Sequence, residues 1–123
     1  MILLTTAADR VQVVTDAAVP VGVHASFVDI DGANLITADR KNTAITTATT
    51  TDVVLNPGAG LVRNVIVLTV RNAHASTPVG VTVRHTDGTT VVELQKVTLP
   101  AGWLLQYADE EGFRVLDATG KLQ

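Results

Sequence analysis

The sequence predicts an all-β protein: an antiparallel two-sheet β-sandwich, jelly-roll-like, of about eight short strands. Three observations carry this. Val (20 residues) and Thr (18) supply nearly a third of the 123-residue chain, and β-branched side chains suit a pleated surface and are stiff on a helix. Several runs alternate apolar and polar residues with the period of two that a strand imposes. Turn pairs such as Asp31-Gly32, Pro57-Gly58 and Asp87-Gly88 separate those runs. No window of useful length holds apolar residues at i, i+3, i+4 and i+7 free of alternation, so no helix is predicted.

The strands follow in order. Residues 11–14 form a short first run, and 19–30 alternate with Val19, Val21, Val23, Ala25 and Phe27 on one side. Asp31-Gly32 closes that run with a turn. Residues 52–55 end at Pro57-Gly58. The stretch 64–72 (NVIVLTVRN) is apolar on both faces, as a central strand buried on both sides would be. Residues 79–85 alternate through Val79, Val81 and Val83, and Asp87-Gly88 turns the chain into 89–99. In that last run the apolar parity switches from Val92 and Leu94 to Val97 and Leu99, which predicts a β-bulge near Gln95-Lys96 or a crossing between sheets. Pro100-Ala101-Gly102 turns into 103–108, and Glu110-Glu111-Gly112 into 113–117.

One stretch departs from this pattern. Residues 34–51 carry little apolar besides Leu35, Ile36 and Ile45, and six of residues 42–51 are Thr. They read as a solvated loop or polar edge strand, or as an extended arm that adds its backbone to a neighbouring subunit's sheet. On the arm reading, Ile45, Thr47, Thr49 and Thr51 are candidate interface residues. Trp103, Leu105 and Tyr107 share one face of their strand. That face is either core or an apolar anchor in an interface, where Trp and Tyr commonly lead.

The length suits one domain over residues 1–123. Charged residues make up 17% of the chain and mean hydropathy is +0.31, against about 25% charged in ordinary soluble domains. A small protein so short of polar cover is expected to bury apolar surface against another chain. A formal charge of −3 and a pI near 5.4 argue against nucleic acid, since no basic stripe is visible in the sequence. Apolar runs such as 64–70 are about a third of the roughly 20 residues a spanning helix needs, so no membrane partner is expected. Met1-Ile2-Leu3-Leu4 lacks the basic flank of a secretion signal, and the mature chain is expected to begin there.

Chemistry is sparse. With no cysteine there is no disulfide, thiolate site or thiol nucleophile. Ser26 and Ser76 lie in no nucleophile elbow, and His74 with Ser76 reads as loop decoration. Asp29-Ile30-Asp31-Gly32 resembles the start of a calcium loop, but Gly falls too early and Arg40 stands where a closing Glu belongs, so a turn is predicted. His24, His74 and His85 have no metal-ligand spacing, and His24 is expected to face solvent. Gly58-Ala59-Gly60 lacks the Lys and Ser/Thr of a phosphate loop. Glu110 and Glu111 point to opposite faces of a strand. No catalytic residue, metal or cofactor is predicted, and the protein is expected not to be an enzyme.

Residues 50–76, TTDVVLNPGAGLVRNVIVLTVRNAHAS, followed by VTVRHTDGTTVVELQKVTLPAGWLLQYADEEGFRVLD, resemble small virion-associated proteins of tailed bacteriophages. Shared features are the RNV-x-x-L-x-x-RN pattern with its following His-Ala-Ser, the Asp-Gly hairpin, the x-Ala-Gly turn and an aromatic near the end. The opening LLTTAADRVQVVT, the VHASFVD run and NTAITTATTTDVV also match that group. The resemblance implies a small β-sandwich or jelly roll with a virion role and no catalytic signature. It points first to a capsid decoration (cement) protein, a dimer or trimer on the capsid exterior that binds between subunits of the major capsid protein. A tail, neck or head-fibre component that binds a receptor or glycan is the alternative.

Overall fold

The computed structural model describes Met1–Gln123 as ten strands in two antiparallel sheets, with no helix. In chain order these are β1 (Ile2–Leu4), β2 (Arg10–Thr15), β3 (Val21–Ile30), β4 (Ile36–Ile45), β5 (Thr50–Val54), β6 (Val62–Asn72), β7 (Val79–Thr86), β8 (Val91–Leu99), β9 (Leu104–Ala108) and β10 (Gly112–Leu116). The wider sheet runs β10-β9-β6-β3-β4, with β1 beside the first half of β6, and the narrower runs β5-β2-β7-β8. The expected two-sheet β-sandwich is present. Its ten strands divide six and four, two more than the eight expected.

Alternating inward side chains build the core. Val21, Val23, Ala25 and Phe27 of β3 oppose Val11 and Val13 of β2 and Val79, Val81 and Val83 of β7 in one buried cluster. Leu105 and Tyr107 of β9 belong to it too, and Trp103 is partly buried against it. These three aromatic-strand residues therefore line the protein's own core. The Tyr107 and Phe113 rings lie 5.1 Å apart between centroids.

Most of residues 34–51 takes the polar-edge-strand alternative, with short connections at 34–35 and 46–49 and no free arm. Ile36–Ile45 is a ten-residue edge strand paired with β3 along its full length. Beyond it, Thr15 Oγ1 donates to the Thr47 carbonyl at 2.7 Å and Thr15 N–H to the Thr49 carbonyl at 2.9 Å. Thr51 lies in β5, opposite Val13 of β2. The strand count rises to ten because β4 gives no alternation signal: most of it overhangs the narrower sheet, and both its faces meet solvent. The very short β1 went unpredicted for lack of length.

Bulges re-phase three strands. Ser26 opposes Val67 and Phe27 opposes Val65, so Ile66 is the extra residue and the buried set moves from Val65 to Leu68 and Val70. The apolar residues on both faces of β6 thus arise from a bulge within a two-layer sandwich, rather than from burial of the strand on both sides. In β8 the shift falls at Leu94, between the Val83–Gln95 and Arg84–Glu93 pairs, one residue before the predicted site. A third bulge lets both Val53 and Val54 enter the core.

Asn72 ties the two sheets together at one end. It is fully buried, and its Nδ2 donates to the Thr77 and Leu99 carbonyls at 2.8 and 3.0 Å while Oδ1 accepts from His74 N–H at 2.9 Å. Its backbone N–H donates to the Trp103 carbonyl and its carbonyl accepts from Gly102 N–H. Gly102 sits at φ +79°, where a side chain would be strained and a Cβ would stand 3.0 Å from Ala118 Cβ. At the opposite end Arg63 Nε and Nη2 clamp the Asp29 carboxylate at 2.8 and 2.9 Å, and the guanidinium lies 4.1 Å from the Phe27 ring centroid.

Asp9 anchors the turn between β1 and β2. Burial alone would raise its carboxyl, but the Thr5 amide at 2.6 Å, the Thr6 hydroxyl at 2.7 Å, the Thr6 amide and nearby His85 hold it below the ordinary value. A lowered folded-state value means that its contribution is complete above the unfolded value of roughly 4 and is lost as pH falls through the folded one. Asp9→Asn should therefore flatten the acid limb of a stability–pH curve measured by urea denaturation. Asn72→Ala leaves the buried Leu99 carbonyl without its donor and removes the bonds to the Thr77 carbonyl and His74 amide, and the same measurement should show a loss of about 2 kcal/mol.

Candidate functional site

The outer face of the wider sheet carries the most organised array of polar side chains. Strand register brings Asn42, His24, Thr69, Gln106 and Arg114 into one row that crosses all five neighbouring strands. His24 Nδ1 lies 2.6 Å from Asn42 Oδ1, and Nε2 lies 2.9 Å from Ser26 Oγ. Arg114 Nε and Nη2 donate to Gln106 Oε1 at 2.9 and 2.6 Å, and Glu111 pairs with Arg114 at 3.1 Å. The planar groups of the row are held in place by their neighbours rather than left to rotate.

The flanking rows differ in character. On one side Arg40, Ser26, Val67 and Ala108 lie in register, and beyond them Ala38, Val28, Asn64 and Leu3. The row at the end of the sheet is apolar: Ile36, Ile30 and Val62. Ile36 is 63% exposed and Leu35, in the adjoining turn, 66%. Leu55 and Val62 also face solvent at this end. On the other side Ala44, Gly22, Arg71 and Leu104 lie in register, and the missing side chain of Gly22 opens a shallow groove of about 480 Å³ bordered by His24, Asn42, Thr69 and Arg71. Three of the six arginines, Arg40, Arg71 and Arg114, share this face with His24. They are spread over non-adjacent strands, and Arg114 is paired with Glu111.

Ser26, His24 and Asn42 have the connectivity of nucleophile, base and orienting group. Acyl transfer also needs N–H donors aimed at an oxyanion. Here β3 lies between β4 and β6 and its amides belong to ladders on both sides, so no such pair is present. The chain of bonds fixes the imidazole and completes no acyl-transfer site.

Sequence-predicted site residues are not gathered into one place. Ile45, Leu105 and Tyr107 are buried in the core, Thr47 and Thr49 are tied to β2, Thr51 is half-buried in β5, and Trp103 is partly buried beside Asn72. Burial pushes the Tyr107 hydroxyl above its usual range, and Asp109 adds to this. Of the apparent calcium-loop residues, Asp29 is bound to Arg63 and Asp31 Oδ1 accepts the Ala33 and Leu35 amides. His74 Nδ1 accepts the Ser76 and Thr77 amides within its own loop. No three His, Asp or Glu side chains converge as metal ligands. The polar row was missed because its members are scattered from residue 24 to 114; Ser26 and His24, two apart and therefore on one face, were the only local signal.

Comparison with family models, curated proteins and solved structures finds no match to this chain. If Asn42 accepts from Nδ1, the neutral His24 ring must carry its proton there. Long-range 15N–1H correlation spectra in alkaline buffer should show protonated Nδ1 and bare Nε2, and Asn42→Leu should remove that preference.

Proposed function

We propose that this protein is a non-enzymatic structural protein of a tailed-phage virion, a capsid decoration protein that binds as a homo-oligomer between capsid subunits on the head exterior. The observation that carries this reading is the apolar end of the outer face, where exposed Ile36 and Val62 flank half-buried Ile30 and exposed Leu35 lies in the adjoining turn. In a chain with only 17% charged residues such a surface favours burial against a partner. The sequence resemblance supports the same role.

Assembly is proposed to act through this sheet face rather than through strand addition at an edge. Each free edge is blunted in a way that discourages pairing. Asp39, Arg40 and Lys41 lie consecutively on β4, a bulge interrupts β8, β5 is five residues long, and the Leu116–Leu122 bridge covers β10. Burial of the apolar end would add contacts across capsid subunits and offset internal pressure, with no cofactor required.

A second reading, a tail, neck or head-fibre component that engages a receptor, is favoured by one observation: the polar row with the Gly22 groove beside it. Quantitative mass spectrometry of purified virions separates the two. Decoration predicts a simple ratio to the major capsid protein, amounting to hundreds of copies. A few to a few dozen copies would move the protein to the neck or tail, and absence from virions would overturn both readings.

A further inference from the structure

Three glycines lie within strands, and two have a structural reason to be there. A Cβ on Gly80 would collide with the Asp16 carboxylate, which accepts the Gly80 amide at 2.7 Å, and Gly112 sits at φ +78°. Gly22 of β3 has neither reason. It is paired on both sides, with Ala44 and Arg71, and a Cβ there would meet no atom within 4 Å. The β3–β6 bulge lies further along, at Ser26 and Phe27. A glycine weakens a strand, and where no bend or internal contact calls for it, the remaining use is close approach of another molecule to the backbone. We propose that the groove over Gly22 is a ligand site for a carboxylated sugar, a hexuronate unit of a surface glycan. This rests on the receptor-engaging reading above and names its site and ligand class.

The groove measures about 480 Å³, within the roughly 300–1,000 Å³ of small-molecule sites. Its floor is Gly22 beside the Ala44 methyl, with no longer side chain standing up from it. Arg71 stands on the β6 side and takes part in none of the chain's four ion pairs, so its planar fork of donors is open to a carboxylate. Thr69, also on β6, adds a hydroxyl. On the β4 side Asn42 turns its Oδ1 to His24, which leaves Nδ2 to donate outward. No Asp or Glu borders the groove. A rim of donors with one cation selects an anion rich in acceptors.

Size and shape narrow that class to a sugar acid. Neighbouring strands stand about 4.8 Å apart, so the floor from Ala44 across Gly22 to Arg71 is about 10 Å wide, room for one pyranose ring and its substituents. With the carboxylate on Arg71, the C–H face of the ring lies flat on Gly22 and Ala44, and its hydroxyls accept from Asn42 and Thr69. His24, bonded to Asn42 through one ring nitrogen and to Ser26 through the other, closes the end of the groove with a ring that cannot swing aside. An open site of this kind binds one unit weakly, and several copies on one particle add avidity.

Titration of the 15N-labelled full chain with D-glucuronate, followed by amide correlation spectra, tests this. Shifts should centre on Gly22, Ala44, Thr69 and Arg71, with a Kd on the order of a millimolar. D-glucose and acetate, each carrying half of the recognised chemistry, should bind about tenfold more weakly or worse. Arg71→Gln should weaken glucuronate about tenfold and leave glucose unaffected. Gly22→Val fills the groove from a position where a Cβ meets nothing, and should abolish binding while the spectrum keeps its dispersion. Shifts centred elsewhere, or binding indifferent to both variants, would overturn the site. Acetate as strong as glucuronate would overturn the sugar assignment. A glucuronate oligomer should bind at least as well as the monomer; its exclusion would mean a free sugar acid and would overturn the glycan. Absence of binding by a protein found at a few to a few dozen copies per virion would overturn the site and leave the receptor reading standing. Binding as described by a protein found at hundreds of copies would uphold the site and overturn the neck or tail placement.

Discussion

Two sheets of unequal width cannot cover each other, and most of what distinguishes this protein follows from that constraint. The narrower sheet spans four strands and the wider one five in succession, with β1 alongside β6. The core forms where they overlap, and the far half of the β3–β4 hairpin projects beyond it. Inward positions on β4 such as Thr37 and Asp39 therefore meet water instead of a facing sheet. The Arg63–Asp29 pair closes the interior where cover runs out. Each of its side chains is under 15% exposed, a setting in which removing one partner would leave an uncompensated charge. Past that pair, apolar side chains remain with nothing over them.

Within the overlap the register is kept by a small number of irregularities. A bulge costs a ladder position and gains a change of phase. At Ile66 it lets one long strand serve both the β1–β3 neighbourhood and the β3–β9 neighbourhood, so Val65 and Leu68 both point inward. Asn72 then terminates that strand with a side chain whose three hydrogen bonds all stay inside the molecule. A buried amide of this kind is tolerated because both its nitrogen and its oxygen have partners. It joins the end of β6 in one sheet to the end of β8 in the other.

The outer face follows from the same strand order. Because β3 lies between β4 and β6, and β9 beyond β6, side chains far apart in the chain become immediate neighbours, and polar groups satisfy one another laterally. The result is a surface graded from apolar at the Arg63 end to polar at the Asn72 end. Such a surface suits recognition by area, charge and shape more than it suits bond-making chemistry, which needs a recess and free donors. The assembly role proposed above would make use of the surface as it stands.

Strand character, turn positions and the inward set Val19–Phe27 and Val79–Val83 were legible in the sequence, because they are local: β-branched composition, a period of two and Asp-Gly turns act over a few residues. The switch of parity in β8 was legible for the same reason. β4 was legible only as one of several alternatives, a polar edge strand, since an overhanging strand has no buried face to impose a pattern, and the bulge in β6 read as two apolar faces because phase is visible only against a partner strand. The polar row was beyond reach. Its contacts join residues 18 apart, as in His24 and Asn42, and the Asp29–Arg63 clamp joins residues 34 apart. The sequence by itself determined that this chain would be a strand-rich protein short of polar cover. Only the tertiary structure decided which apolar residues stay uncovered and which polar ones meet, because both depend on strand order and register, which are set by long-range pairing.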